Sequence, residues 1–240
     1  MIMNRKMLSY FWMSLLLLGL GCQDDKLDEP ARVELSIVMT SSGELGKPEM
    51  LKNQNTLALN KGNMAIESFE VEGIRENAEN YYFSREFDHM ILADLSSGQL
   101  SKEVEFDVPQ GSYEPIKIIL HLNQTDTLEG LRFKGKYSAP PLEDTEVEFS
   151  FFNHHEPLEL MIQNQRGEKN LVFKKGNIHA LEVQINLNNL FRYFNINRLV
   201  QAERIQEGGK EKIVISAQHN QEMYYELVNR IEKSTRAILK

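Results

Sequence analysis

Cysteine is almost missing from this chain: Cys22 is the only one in 240 residues. One thiol excludes an internal disulfide framework and any multi-cysteine zinc site, so the core must hold by burial alone. Tryptophan is as scarce, with Trp12 near the start and none after it. The rest of the chain therefore lacks the strongest stacking side chain. No Gly-x-Ser-x-Gly motif is present, and Gly208-Gly209 lacks the Lys and Ser/Thr of a phosphate loop and reads as a plain turn. There is no Asp-x-Asp-x-Asp calcium loop. Of the six histidines, His154 and His155 are adjacent, which on a strand sends their rings to opposite faces, and His89, His121, His179 and His219 stand alone. No metal site and no cofactor is expected. Basic charge is also short, 27 Lys and Arg against 35 Asp and Glu, which argues against nucleic acid as a partner.

The one long apolar run is Met7 to Leu20, shorter than the roughly 20 residues of a spanning helix. Arg5 and Lys6 precede it, and Gly19-Leu20-Gly21-Cys22 supplies small residues at a cleavage point. This is the pattern of a bacterial lipoprotein signal. Residues 1–21 are expected to be removed and Cys22 to carry lipid, with residues 22–30 forming an acidic tether. Loss of Arg5 and Lys6 takes the formal charge from −8 to −10, so membrane attachment rests on acyl chains and not on a basic face. Asp24, Asp25, Asp28 and Glu29 resemble the acidic export signal that follows the acylated cysteine in Bacteroidetes surface lipoproteins. The expected address is the outer membrane, lipid-anchored and facing the cell surface.

Beyond the tether the hydrophobic period is two, the signature of strands with one buried face. Val33, Leu35, Ile37 and Met39 alternate with polar neighbours. Asn60-Lys61-Gly62-Asn63 reads as a turn. Met64 and Ile66 are out of phase with Phe69 and Val71, which predicts a bulge near Glu67-Ser68. Val104, Phe106 and Val108 run into Pro109-Gln110-Gly111-Ser112 and on to Tyr113, Ile116, Ile118 and Leu120, which predicts a hairpin. Further strands are expected around Phe133, Phe149, Leu160, Phe173 and Val183, and at Ile213 and Ile215. From Asn220 the period becomes helical, with Met223, Leu227 and Ile231 on one stripe, Asn220 as N-cap, and Lys233, Arg236 and Lys240 towards the C-terminus. The expected architecture is mainly β, an antiparallel β-sandwich over residues 31–190, with residues 191–240 giving a strand and a C-terminal α-helix packed on it.

The stretch Phe106-Asp107-Val108-Pro109-Gln110-Gly111-Ser112-Tyr113-Glu114-Pro115-Ile116-Lys117-Ile118, followed by strands and a helical tail, resembles the uncharacterised surface lipoproteins of Bacteroidetes type with a transthyretin-like β-sandwich domain. The resemblance implies a surface-exposed lipoprotein sandwich and carries no catalytic residues. The candidate ligand-binding side chains are aromatic: Tyr81 and Tyr82, which a strand sends to opposite faces, and Tyr225 on the last helix. Asp126-Thr127-Leu128 resembles the Asp-Ser/Thr-apolar tripeptide used for O-glycosylation of exported Bacteroidetes proteins, making Thr127 the candidate acceptor. The expected function is binding or scaffolding at the cell surface without catalysis, with a polysaccharide or a protein as partner. A glycan receptor in a nutrient-uptake system is one version and an adhesin or pilus-associated subunit another. A glycoside hydrolase built on two carboxylates is a third.

Overall fold

The computed structural model describes residues 29–41, 55–123, 130–140, 142–151 and 157–240. The signal segment, Cys22, Thr127, His154 and His155 lie outside the described residues. In chain order the elements are β1 (Ala31–Thr40), β2 (Thr56–Arg75), β3 (Tyr81–Asp94), β4 (Gln99–Leu100), β5 (Glu105–Val108), β6 (Gly111–Leu122), β7 (Leu131–Ala139), β8 (Leu142–Phe151), β9 (Leu158–Asn164), β10 (Leu171–Phe173) and β11 (Ile178–Asn186). There follow α1 (Leu187–Leu190), β12 (Arg204–Glu207), β13 (Lys210–Ile215), α2 (Gln221–Val228) and β14 (Thr235–Leu239). The strands form one sheet in the order β12-β13-β8-β7-β2-β6-β9-β14-β11-β1-β5, with β3 and β10 branching from β2 and β6.

The sheet is mixed and not antiparallel throughout. β1 runs parallel to β11, β13 to β8 and β14 to β9. Period-two alternation places side chains on faces but is blind to strand direction, and these partners are far apart in sequence. The Pro109–Gly111 hairpin is also corrected. β5 pairs with β1, whereas β6 pairs with β2, β9 and β10. The turn is a crossover held by side chains, with Tyr113 Oη donating to Pro109 O at 2.7 Å and Arg75 Nη2 to Gln110 O at 2.6 Å. Asn60–Asn63 is no turn but part of β2, which bulges between Leu59 and Lys61. The second bulge, between Ile66 and Ser68, falls where the change of phase puts it.

The C-terminal helix is shorter than its stripe suggests. α2 stops at Val228, and after a 3₁₀ turn at Glu232–Ser234 the chain ends in strand β14, inserted between β9 and β11. Thr235, Ala237 and Leu239 are buried alternately, a period of two that takes over from the helical one. Asn220 does not cap α2 with its side chain. It sits at φ 54° and bonds instead to Glu203 and to Val214 O.

β14 is tied down by Lys240, whose Nζ lies 2.8 Å from Glu182 Oε1 and whose N–H donates to Ala180 O. Burial raises the pKa of Glu182, and hydrogen bonds from Lys240 and Gln184 with the Lys240 charge outweigh it, leaving the carboxyl below its ordinary 4.5. A depressed carboxylate stabilises the fold above its unfolded pKa, and that contribution disappears as pH falls through the folded value. Glu182→Gln is thus expected to cost about 0.5–1 kcal/mol at neutral pH, Lys240 being partly exposed, and nothing in strong acid. Urea midpoints of both proteins from pH 7 down to about pH 2 read this convergence.

The core is continuous and rich in rings. Val33, Leu35 and Ile37 of β1, Phe69 and Val71 of β2, Ile116, Ile118 and Leu120 of β6 and Val183 and Ile185 of β11 are all buried. β3, the branch from β2, and β5, one end of the strand order, face each other without a shared ladder. Side chains bridge this seam: Tyr81 Oη donates to Asp107 O at 2.5 Å and Arg85 Nη1 to Glu105 O at 3.1 Å. Beneath it Phe106 lies 5.3 Å from Phe69 and 5.8 Å from Phe83, centroid to centroid.

Candidate functional site

With Phe83 turned to the core, alternation sends Tyr82, Ser84, Glu86 and Asp88 outward from β3. Register completes the surface. Tyr82 lies across from Glu72 of β2 and Glu72 from Lys117 of β6; Ser84, Glu70 and Ile119 form the next row; Glu86, Ser68 and His121 form the third. Tyr82 is 62% exposed, yet its hydroxyl donates to Glu70 Oε2 at 3.0 Å. The other oxygen, Glu70 Oε1, accepts from His121 Nε2 at 2.9 Å. The ring is thereby fixed while its faces stay open to solvent. Lys117 lies 3.0 Å from Glu72 and 3.2 Å from Glu159, and hydrogen bonds to these two carboxylates raise its pKa.

Past the third row the ladder opens. Ile66 pairs with Ile91 and Ser68 with Glu86, so Phe87 to Met90 of β3 stand against the single residue Glu67 of β2. The surplus backbone arches outward and leaves a hollow of about 630 Å³ lined by Glu67, Glu86, Asp88, His89 and Asn123, with Phe87 as an apolar wall. Asn123 is buried to 2% exposure. Carboxylates and an imidazole beside an apolar wall offer acceptors and donors suited to a hydroxyl-rich ligand. The fixed Tyr82 ring stands four residues along β3 from Glu86, about 13 Å away. Among the described residues no group of three or more His, Cys, Asp or Glu has a metal-holding arrangement.

The other tyrosines named by the sequence go elsewhere. Tyr81 points to the opposite side of β3 from Tyr82 and closes the seam, edge-on to Tyr113 at 6.4 Å. Burial, then the Tyr113 and Asp107 charges, hold its pKa far above the ordinary 10, so it stays a donor. Tyr225 is 57% exposed on α2 and packs edge-on against Tyr224 at 5.2 Å. No contact joins it to Tyr82 among the described residues. Sequence reading missed Glu70, Glu86 and Asp88, and set His89 and His121 aside as lone histidines. The one signal pointing to them was the phase change at Glu67-Ser68, because a bulge re-aims side chains where pairing fails.

Fold and face together define a mainly β protein with a large mixed sheet and a polar outer surface carrying one fixed aromatic ring. No protein-family model, no curated protein and no solved structure matches this chain.

Proposed function

We propose that this protein is a lipid-anchored, non-enzymatic binding protein of the bacterial cell surface that captures polysaccharide on the outer face of β2, β3 and β6. The observation carrying this reading is Tyr82, an exposed ring held by Glu70 on the strand that, about 13 Å further along, borders a hollow of hydrogen-bonding side chains. A ring fixed before binding loses little entropy when a sugar stacks on it, and the hollow supplies directional bonds to hydroxyls. The leader ending at Cys22 supports attachment by lipid to the outer membrane, and the acidic exterior supports a soluble, surface-facing domain. We read the sheet as a transthyretin-like sandwich whose seam is closed by Tyr81 and Arg85.

The test is affinity electrophoresis of the full chain in mild detergent, through gels containing a panel of soluble polysaccharides. At least one neutral polymer is expected to retard it relative to a non-binding protein. Unchanged mobility throughout the panel defeats the glycan reading.

A second reading, an adhesin or pilus-associated subunit, draws on one observation. The outer edge of β3 from Tyr81 to Met90 pairs with no strand among the described residues, and such an edge accepts an added strand. Sedimentation separates the two readings: growth of oligomers with concentration supports assembly, a constant monomer supports capture.

A further inference from the structure

We infer that a lysine-rich hollow on the outer face of β2 and β7 is a seat for an oxyanion, the carboxylate or phosphate group of a soluble ligand. β7 carries Arg132, Lys134 and Lys136 at every second position, which places three cations on one side of the strand. β2 sets Lys61 directly across from Lys134. Lys212 reaches the same hollow, of about 270 Å³, from β13. The floor is backbone. At Gly135, opposite the Leu59/Lys61 bulge, a Cβ would stand 1.9 Å from Ala58 O, so the β2 backbone closes directly against β7 beneath the lysines.

The charge arrangement points to the ligand. Glu148, whose side chain is only 9% exposed, bridges Lys134 and Lys212 at 3.2 Å each, and Lys212 also pairs with Glu207. Lys136 pairs with Asp144 at 3.4 Å. Glu146 stands one row along, between Lys136 and Lys212 in register. Among the described residues Lys61 has no carboxylate in ion-pair range, and its cross-strand partner in register is Lys134, whose ammonium is already paired with Glu148. Like charges directly opposed across a ladder destabilise a sheet. In a chain with 35 acidic and 27 basic residues such a pairing is against the prevailing sign. An oxyanion at Lys61, beside the Asn60 amide at the bulge, balances the one lysine of this hollow that has no carboxylate of its own among the described residues. Lysines act as mobile point charges and not as fixed forks, so the seat takes a carboxylate or a phosphate group by charge and size.

The experiment titrates the full chain in non-ionic detergent at low ionic strength with inorganic phosphate, with galacturonate and with glucose, followed by thermal unfolding. Phosphate or galacturonate is expected to raise the midpoint saturably and glucose to leave it unchanged; the more effective anion identifies the natural source as phosphate-bearing or as an acidic sugar. About 0.5 M sodium chloride should suppress the effect. Lys61→Gln is expected to weaken binding about tenfold, the loss of one charge-assisted contact. Without ligand it should unfold no earlier than the native protein, because the opposed charge is gone. Lys174→Gln, on an exposed loop elsewhere, should bind as the native protein does. A midpoint insensitive to both anions, equal response to glucose, or full binding by Lys61→Gln overturns the inference.

Discussion

Gly135→Ala is expected to destabilise the protein by about 3 kcal/mol or more, the upper end of what overpacking costs. The added Cβ would lie 1.9 Å from Ala58 O and 2.8 Å from both Ala58 C and Leu59 Cα, and all three are backbone atoms. A flexible side chain at this position could swing aside, but a strand cannot. β2 and β7 would have to part at the bulge where Leu59 faces Gly135, breaking ladder bonds on both sides. Equilibrium unfolding in urea measures the loss, and a change under about 1 kcal/mol would show that the bulge yields where the packing says it cannot. Against a total stability on the order of 5–15 kcal/mol the expected loss is large enough to lower the yield of folded protein.

Phe69→Ala should cost a comparable amount, about 3–5 kcal/mol. Phe69 is fully buried, and its ring meets Phe106 at 5.3 Å, Phe83 at 5.7 Å and Phe87 at 5.9 Å. These partners sit on β5 and β3, the two edges that share no ladder. The seam therefore depends on ring packing and on the donors from Tyr81 and Arg85. Removing the central ring opens a cavity where no backbone bonds hold the walls together. The same urea titration, with proteolysis as a second probe, tests this. A loss near 1 kcal/mol would mean that the seam closes around the space. Early cleavage between β3 and β6 would show that it opens first.

What the sequence reveals and what it hides divide along a physical line. Alternation at Val33, Leu35 and Ile37 is a local property of the strand, and these residues are buried as the alternation predicts. The bulge at Ile66/Ser68 is equally local, a break of phase inside one strand. Turn chemistry at Pro109 and Gly111 is legible, but the partner each flanking strand takes is not, since β5 finds β1 some seventy residues earlier. The tail behaves likewise: Met223 and Leu227 specify a helix, while β14 is a strand because its place between β9 and β11 rewards alternate burial of Thr235, Ala237 and Leu239. The candidate face follows the same rule. Tyr82 could be picked out as an aromatic on a strand, yet its partner Glu70 lies 12 residues away and His121 lies 51 beyond Glu70. Only register brings the three together.

The most direct test of the binding account is affinity electrophoresis in the retarding polysaccharide, with Tyr82→Ala run beside Tyr193→Ala and Tyr225→Ala. All three tyrosines are largely exposed, and Tyr82 is the one on β3, the strand whose Glu86 to Met90 stretch lines the hollow. Loss of retardation in Tyr82→Ala alone, a drop of about 1–2 kcal/mol in binding with unchanged urea stability, is the expected result. Equal retardation of Tyr82→Ala and the native protein would contradict the account and move the binding surface off this face.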